Sequence, residues 1–107
     1  MIARTWHGAV PAEKADAYHE YLMRTGVRDY RGTPGNRGVY VLRRTEGAVA
    51  HFLLLTLWES EEAIRRFAGD EPEVARYYPE DREFLLELEP RVIHYEVLEA
   101  HAARDHS

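Results

Sequence analysis

The chain has 107 residues, 45% apolar and 31% charged, with a net charge of −5 and no cysteine. This is the size and balance of one globular domain. The missing cysteine excludes disulfides, iron–sulfur clusters, thiolate nucleophiles and cysteine-type zinc sites, and the acid excess, with 14 basic residues spread along the chain, argues against nucleic acid.

Residues 2–10 read as a strand with Ile2, Arg4 and Trp6 on one side and Ala3, Thr5 and His7 on the other. Pro11 suits the first position of a helix over residues 12–25, where Ala15, Tyr18, Leu22 and Thr25 form one stripe and Gly26 offers a left-handed end. Residues 27–38 hold four glycines or prolines and predict a loop, with Thr33-Pro34-Gly35-Asn36 as its turn. Residues 39–44 read as a short strand, and Glu46-Gly47 turns it into a second strand over residues 48–58.

That second strand carries the run Phe52-Leu53-Leu54-Leu55-Thr56-Leu57-Trp58, apolar at six of seven positions. A strand apolar on both sides must be covered on both sides. The few short helices of this chain can cover one sheet face, so a second copy is expected to cover the other.

Ser60 predicts a helix N-cap, with Glu61 and Glu62 in the positive first turn and Gly69 as the stop. Pro72 and Pro79 each suit the start of a short helix, the second over residues 80–88 with Phe84, Leu85 and Leu88 on one side. Residues 91–99 close the chain as an edge strand, with Val92, His94, Glu96 and Leu98 opposing Ile93, Tyr95 and Val97. Residues 100–107 read as a flexible tail. No apolar leader precedes the first strand, and no stretch approaches the roughly 20 apolar residues of a membrane span. A cytoplasmic protein without membrane partners is expected. The order strand-helix-strand-strand-helix-strand predicts an α+β, ferredoxin-like four-stranded antiparallel sheet with helices on one face and the first and third strands central.

The opening strand Ile2-Ala3-Arg4-Thr5-Trp6-His7-Gly8 and the stretch Gly35 to Arg44 fit one known pattern. So do Leu55-Thr56-Leu57-Trp58-Glu59-Ser60 before a helix, Tyr77-Tyr78-Pro79-Glu80-Asp81, and His94-Tyr95-Glu96-Val97. In these segments the chain resembles the antibiotic biosynthesis monooxygenase-like (ABM) superfamily of dimeric α+β barrels. The resemblance covers residues 2–98, and implies an ABM-like domain over residues 1–99 that works as a homodimer. It implies a cofactor-independent monooxygenase acting on a small aromatic or polyketide-like ligand. It also implies two alternatives, a non-catalytic small-ligand or stress-response barrel and a haem-binding or haem-degrading protein. Two departures bear on haem: Trp6 stands where haem-degrading relatives carry an asparagine, and Arg76, Tyr77 and Tyr78 stand where they carry a histidine.

The resemblance makes Trp58 a pocket residue between sheet and helices, joined by Trp6, Tyr77 and Tyr78. Each also reads as an ordinary core or half-buried aromatic. Arg4, on the Trp6 side, is expected to pair within the protein or to steady an anionic ligand group. His94 and His7 titrate near neutral pH, and Glu96 shares a side with His94. Arg4 and His94 are the candidate catalytic residues. His19, His51, His101 and His106 show no ligand spacing, so neither a metal nor a cofactor is expected.

Overall fold

The computed structural model describes residues 1–101. Four strands, β1 (Ile2–Pro11), β2 (Asn36–Glu46), β3 (Val49–Trp58) and β4 (Ile93–Glu96), form one antiparallel sheet in the order β2-β3-β1-β4. Four helices, α1 (Ala15–Arg24), α2 (Gly26–Gly32), α3 (Glu61–Ala68) and α4 (Asp81–Phe84), cover one face of it. This is the α+β, ferredoxin-like arrangement expected, with β1 and β3 central.

The two central strands alternate in step. Arg4, Trp6, Gly8 and Val10 of β1, with Ala50, Phe52, Leu54, Thr56 and Trp58 of β3, are buried under the helices. The register Ile2↔Trp58 and Trp6↔Leu54 puts both tryptophans on that face. Tyr18, Tyr21 and Leu22 of α1 and Ile64 and Phe67 of α3 fill the layer above.

Among the described residues, no helix lies on the opposite face. Its middle is Leu53, Leu55 and Leu57, flanked across the strands by Leu42 and Tyr40 on one side and by Thr5 and Ala3 on the other. Beyond these, Ile93 and Tyr95 of β4 are each 55% exposed. The doubly apolar β3 thus leaves one of its sides uncovered in the single chain.

The turn chemistry follows the sequence. Ser60 accepts the Ala63 N–H at 3.2 Å as the α3 N-cap, and Gly69 ends that helix at φ 85°. Gly47 turns the hairpin at φ 58°. Gly35 is required twice over: its φ is 93°, and a Cβ there would stand 2.4 Å from Cβ of Ala63. Other expectations are corrected. Residues 26–32 are helical, because Val27 and Tyr30, three apart, bury a common side that outweighs the flanking glycines. Gly26 begins this helix and does not take a left-handed conformation. No helix starts at Pro72; Val74 instead bridges to Arg91. The predicted helix over residues 80–88 stops after Phe84, because Leu85 turns extended and Leu86 N–H donates to Ala9 C=O at 2.9 Å. The edge strand is shorter than expected, at Ile93–Glu96. Ala100 and His101 extend past it without regular structure, and the rest of the expected tail lies outside the described residues.

Candidate functional site

A cavity lies between the helix-covered sheet face, α1, α2 and the segment that follows α3. Trp6, Leu54, Tyr18, Tyr30, Phe67 and Tyr78 give it aromatic and apolar walls, and Arg76 and Asp81 bring the charges. It leaves about 10 Å³ in which the centre of a water molecule can move. That is room for about one water. Any aromatic ligand therefore requires a wall to move.

Trp6 reaches this place because Gly8 has no side chain. A Cβ on Gly8 would stand 2.4 Å from Cη2 of Trp6 and 2.8 Å from Cδ2 of Leu85. The indole is 5% exposed, and its Nε1–H has no partner in the protein. A buried donor left unpaired is a standing cost of about 1–3 kcal/mol. A ligand or water with an acceptor oxygen there would remove it.

Asp81 is 3% exposed and lines the cavity from α4. Its Oδ1 accepts from the Tyr18 hydroxyl at 2.9 Å and its Oδ2 from the Tyr78 N–H at 2.6 Å. Burial pushes its carboxyl up, and the two hydrogen bonds oppose that shift. Tyr18 and Tyr30 are raised chiefly by burial, as is Tyr78, whose hydroxyl donates to Asp29. The phenols are therefore donors at neutral pH, and Asp81 is the carboxylate facing the cavity. Arg76 stacks 4.8 Å from the Phe67 ring centroid and 5.1 Å from that of Tyr78. It donates to the Phe67 C=O at 3.0 Å. Its Nη2 also lies 3.5 Å from Asp29 Oδ2, so the guanidinium is both stacked on aromatic faces and paired, and an anionic ligand would compete with Asp29 for it.

The structure separates the residues that the sequence had grouped. Trp6 and Tyr78 line the cavity. Tyr77 stands behind Trp6, edge-on at 6.1 Å, and burial pushes its phenol up to about 12. Trp58 is fully buried behind the lining, against Tyr30 and Phe67, and its Nε1–H donates to Thr56 Oγ1 at 2.8 Å. Arg4 is 1% exposed and does not line the cavity. Among the described residues its guanidinium meets no carboxylate. It donates at 3.4 Å each to the Tyr30 hydroxyl, Pro72 C=O and Val74 C=O, and lies 5.5 Å from the Phe67 ring centroid.

His94 faces Arg4 across the β1–β4 pair, and its Nε2 is buried without a partner. Burial, then the Arg4 charge, push its imidazole below the usual histidine range, with Glu73 and Glu61 opposing. Because the folded state holds this proton more weakly than the unfolded chain does, stability is expected to fall as pH drops through about 6.5 and below. In urea titrations between pH 7.5 and 5, His94→Gln should flatten that fall. An unchanged pH profile in the variant would assign the acid sensitivity elsewhere.

Sequence reasoning missed Tyr30, because it stood in a presumed loop, and Asp81, because it stood among solvated acidic residues. The i, i+3 pair Val27 and Tyr30 was the readable sign of the first. It named His7 and His51 but missed that the sheet brings them together: His7 Nε2 and His51 Nδ1 are 3.0 Å apart, and His7 Nδ1 is 2.5 Å from Glu89 Oε2.

The cavity holds no histidine, and its hydroxyls are already engaged: Tyr18 with Asp81, Tyr78 with Asp29 and Tyr30 with Arg4. Among the residues lining it, no side chain is left free as an axial iron ligand. The residues present do not fit haem.

Over residues 1–77 the chain matches the family model described as antibiotic biosynthesis monooxygenase. No curated protein matches it. Among solved structures, it is similar to a Nitrosomonas europaea protein assigned to the antibiotic biosynthesis monooxygenases, with a TM-score of 0.67 and 16% identity over 92% of this chain and 100% of the other. It is also similar to the haem-degrader MhuD of Mycobacterium tuberculosis with two haems in its active site, with a TM-score of 0.63 and 20% identity over 95% and 100%. A third is a monooxygenase of Streptomyces coelicolor in complex with nanaomycin D, with a TM-score of 0.62 and 20% identity over 96% and 91%. At these identities the likeness speaks for the fold alone.

Proposed function

The chain belongs to the antibiotic biosynthesis monooxygenase family, and from that premise we propose that it is a homodimeric, cofactor-independent oxygenase of a small aromatic, polyketide-like substrate. The observation that carries this reading is the cavity itself: aromatic walls, Trp6 among them, with one cation, Arg76, and one buried carboxylate, Asp81. An anthrone-type substrate has an acidic CH2 between two rings. Loss of that proton gives a delocalised anion that can transfer an electron to dioxygen. The two radicals then join as a C–O–O⁻ adduct, which takes up a proton and loses water. The CH2 has become C=O, and O2 has supplied one oxygen to the product and one to water.

The protein's part is to orient, to desolvate and to hold charge. Asp81 suits the proton acceptor, Arg76 the partner of the anion, and Trp6 Nε1–H the donor to its oxygen. Arg4 and His94 lie one layer away, and Arg4 holds the Tyr30 hydroxyl in place.

The test is oxygen uptake with anthrone-like substrates. Arg76→Met and Asp81→Asn should each lower kcat/KM by about tenfold or more. Uptake by the wild type that neither substitution alters would remove both from the chemistry. The small size of the cavity favours a second reading, a ligand-binding barrel without catalysis. That reading holds if the substrate analogue binds and oxygen is never consumed.

A further inference from the structure

The cavity must open to be used, so what holds its wall shut decides what enters. Between α3 and β4, residues 69–92 contain one helical turn, Asp81–Phe84, and one isolated bridge, Val74↔Arg91. So little backbone structure leaves the wall secured by individual side chains. Tyr18, Arg76 and Tyr78 supply pins on the cavity side. Another lies on the other side of the sheet.

That pin is Glu89. Its carboxylate meets His7 Nδ1 at 2.5 Å on the open sheet face, while its backbone carbonyl accepts a hydrogen bond from the Tyr77 hydroxyl on the helix side. Tyr77 in turn packs edge-on against Trp6, the cavity wall with the unpaired N–H. The chain can span the two faces here because β4 pairs with β1 only over Ile2–Thr5. Past that point the edge of β1 is free, and Leu86 N–H closes on Ala9 C=O. Behind His7 stands His51, its ring stacked at 5.3 Å and its Nδ1 at 3.0 Å from His7 Nε2. Arg44, opposite His51 on β2, is paired with Glu46 and leaves Glu89 to His7. The line His51–His7–Glu89–Tyr77–Trp6 therefore crosses the sheet edge without a break.

We infer that His7 and Glu89 form a latch that positions Tyr77 against Trp6 and sets how readily the wall over the cavity opens. The idea rests on the reading of that cavity as the ligand site. The latch is strong enough to bias a mobile segment, because it is a charge-assisted bond. Its partners are 36% and 37% exposed in the single chain, so the bond is one of modest strength. His51 can fix it from behind: when His51 Nδ1–H donates to His7 Nε2, neutral His7 carries its own proton on Nδ1 and donates it to Glu89. His7 and Glu89 are positioning residues; neither touches the cavity.

Amide hydrogen exchange of the ligand-free protein tests the latch directly. In Glu89→Ala and His7→Gln, the amides of Leu86 and Val92 should exchange about five- to tenfold faster, while those of α1 and β3 keep their protection. In a Trp58→Phe background, where Trp6 is the sole tryptophan, both substitutions should raise acrylamide quenching of its fluorescence, and Glu89→Gln, which keeps an acceptor without the charge, should fall between. Unchanged exchange and quenching in both variants would overturn the latch, and so would a uniform loss of protection. Should Trp58→Phe fail to fold, exchange alone decides. A separate arm distinguishes the premise: an anthrone-like probe should bind the latch variants several-fold faster. Faster exchange with unaltered probe binding would leave the latch standing and sink the cavity as the ligand site.

Discussion

Leu55→Asp is expected to reduce the particle from twice 12.5 kDa to 12.5 kDa at micromolar concentration. Leu55 stands at the centre of the open sheet face, with Thr5 of β1 on one side and Tyr40 of β2 on the other. In a two-fold dimer each substitution acts twice. Losing one buried leucine from each copy removes about 2 kcal/mol per side, or roughly a thousandfold in Kd, before the cost of desolvating two carboxylates is added. The fold should survive, because the helix-covered core lies on the opposite face. Sedimentation velocity with circular dichroism reads both quantities at once. A wild-type chain that sediments at the mass of one copy would end the dimer proposal, and with it the explanation of why β3 is apolar on both sides.

The second large effect is expected at Trp58. Its side chain is fully buried between Tyr30, Phe67 and the sheet. Truncation to alanine should cost about 3–5 kcal/mol, as large-to-small changes of buried aromatics do. Against a typical domain stability of about 5–15 kcal/mol, that is a third or more of the whole. Trp58→Phe should cost about 1 kcal/mol: it keeps the ring packing and loses the bond to Thr56 Oγ1, whose hydroxyl still donates to Arg4 C=O. Urea unfolding at fixed pH separates the two. Trp58→Phe should also leave ligand binding close to wild type, whereas Trp6→Phe should weaken it, since Trp6 and not Trp58 lines the cavity. A Trp58→Ala protein within 1 kcal/mol of wild type would show that the core collapses around the loss.

These two residues show how far local pattern reaches. Leu55 was legible because periodicity of two is a property of the strand alone: a run that fails to alternate must be buried twice. The same logic placed Ser60, Gly47 and Gly69, whose roles depend on their own backbone and nearest neighbours. It allowed Trp6 and Trp58 a common face if β1 and β3 were neighbours, and the pairing register gives them one. It could not tell which of them meets the cavity. That depends on Gly8 making room for one indole and on Tyr30 and Phe67 closing over the other.

Charged and titratable groups were the least legible. Asp81 looks like any acidic residue at a helix start, and becomes a cavity wall only because Tyr18, 63 positions earlier, hydrogen-bonds it. His7, His51 and Glu89 share no spacing along the chain; the β1–β3 register and a strap along a free strand edge bring them within hydrogen-bonding distance.

The sequence by itself determined the order of elements, the antiparallel ferredoxin-like sheet and the presence of a second apolar face, because short-range periodicity and turn chemistry act within a few residues. Only the tertiary structure decided which aromatic rings enclose the cavity, how little room it leaves, and which acids and histidines meet, because those contacts are set by packing between segments tens of residues apart.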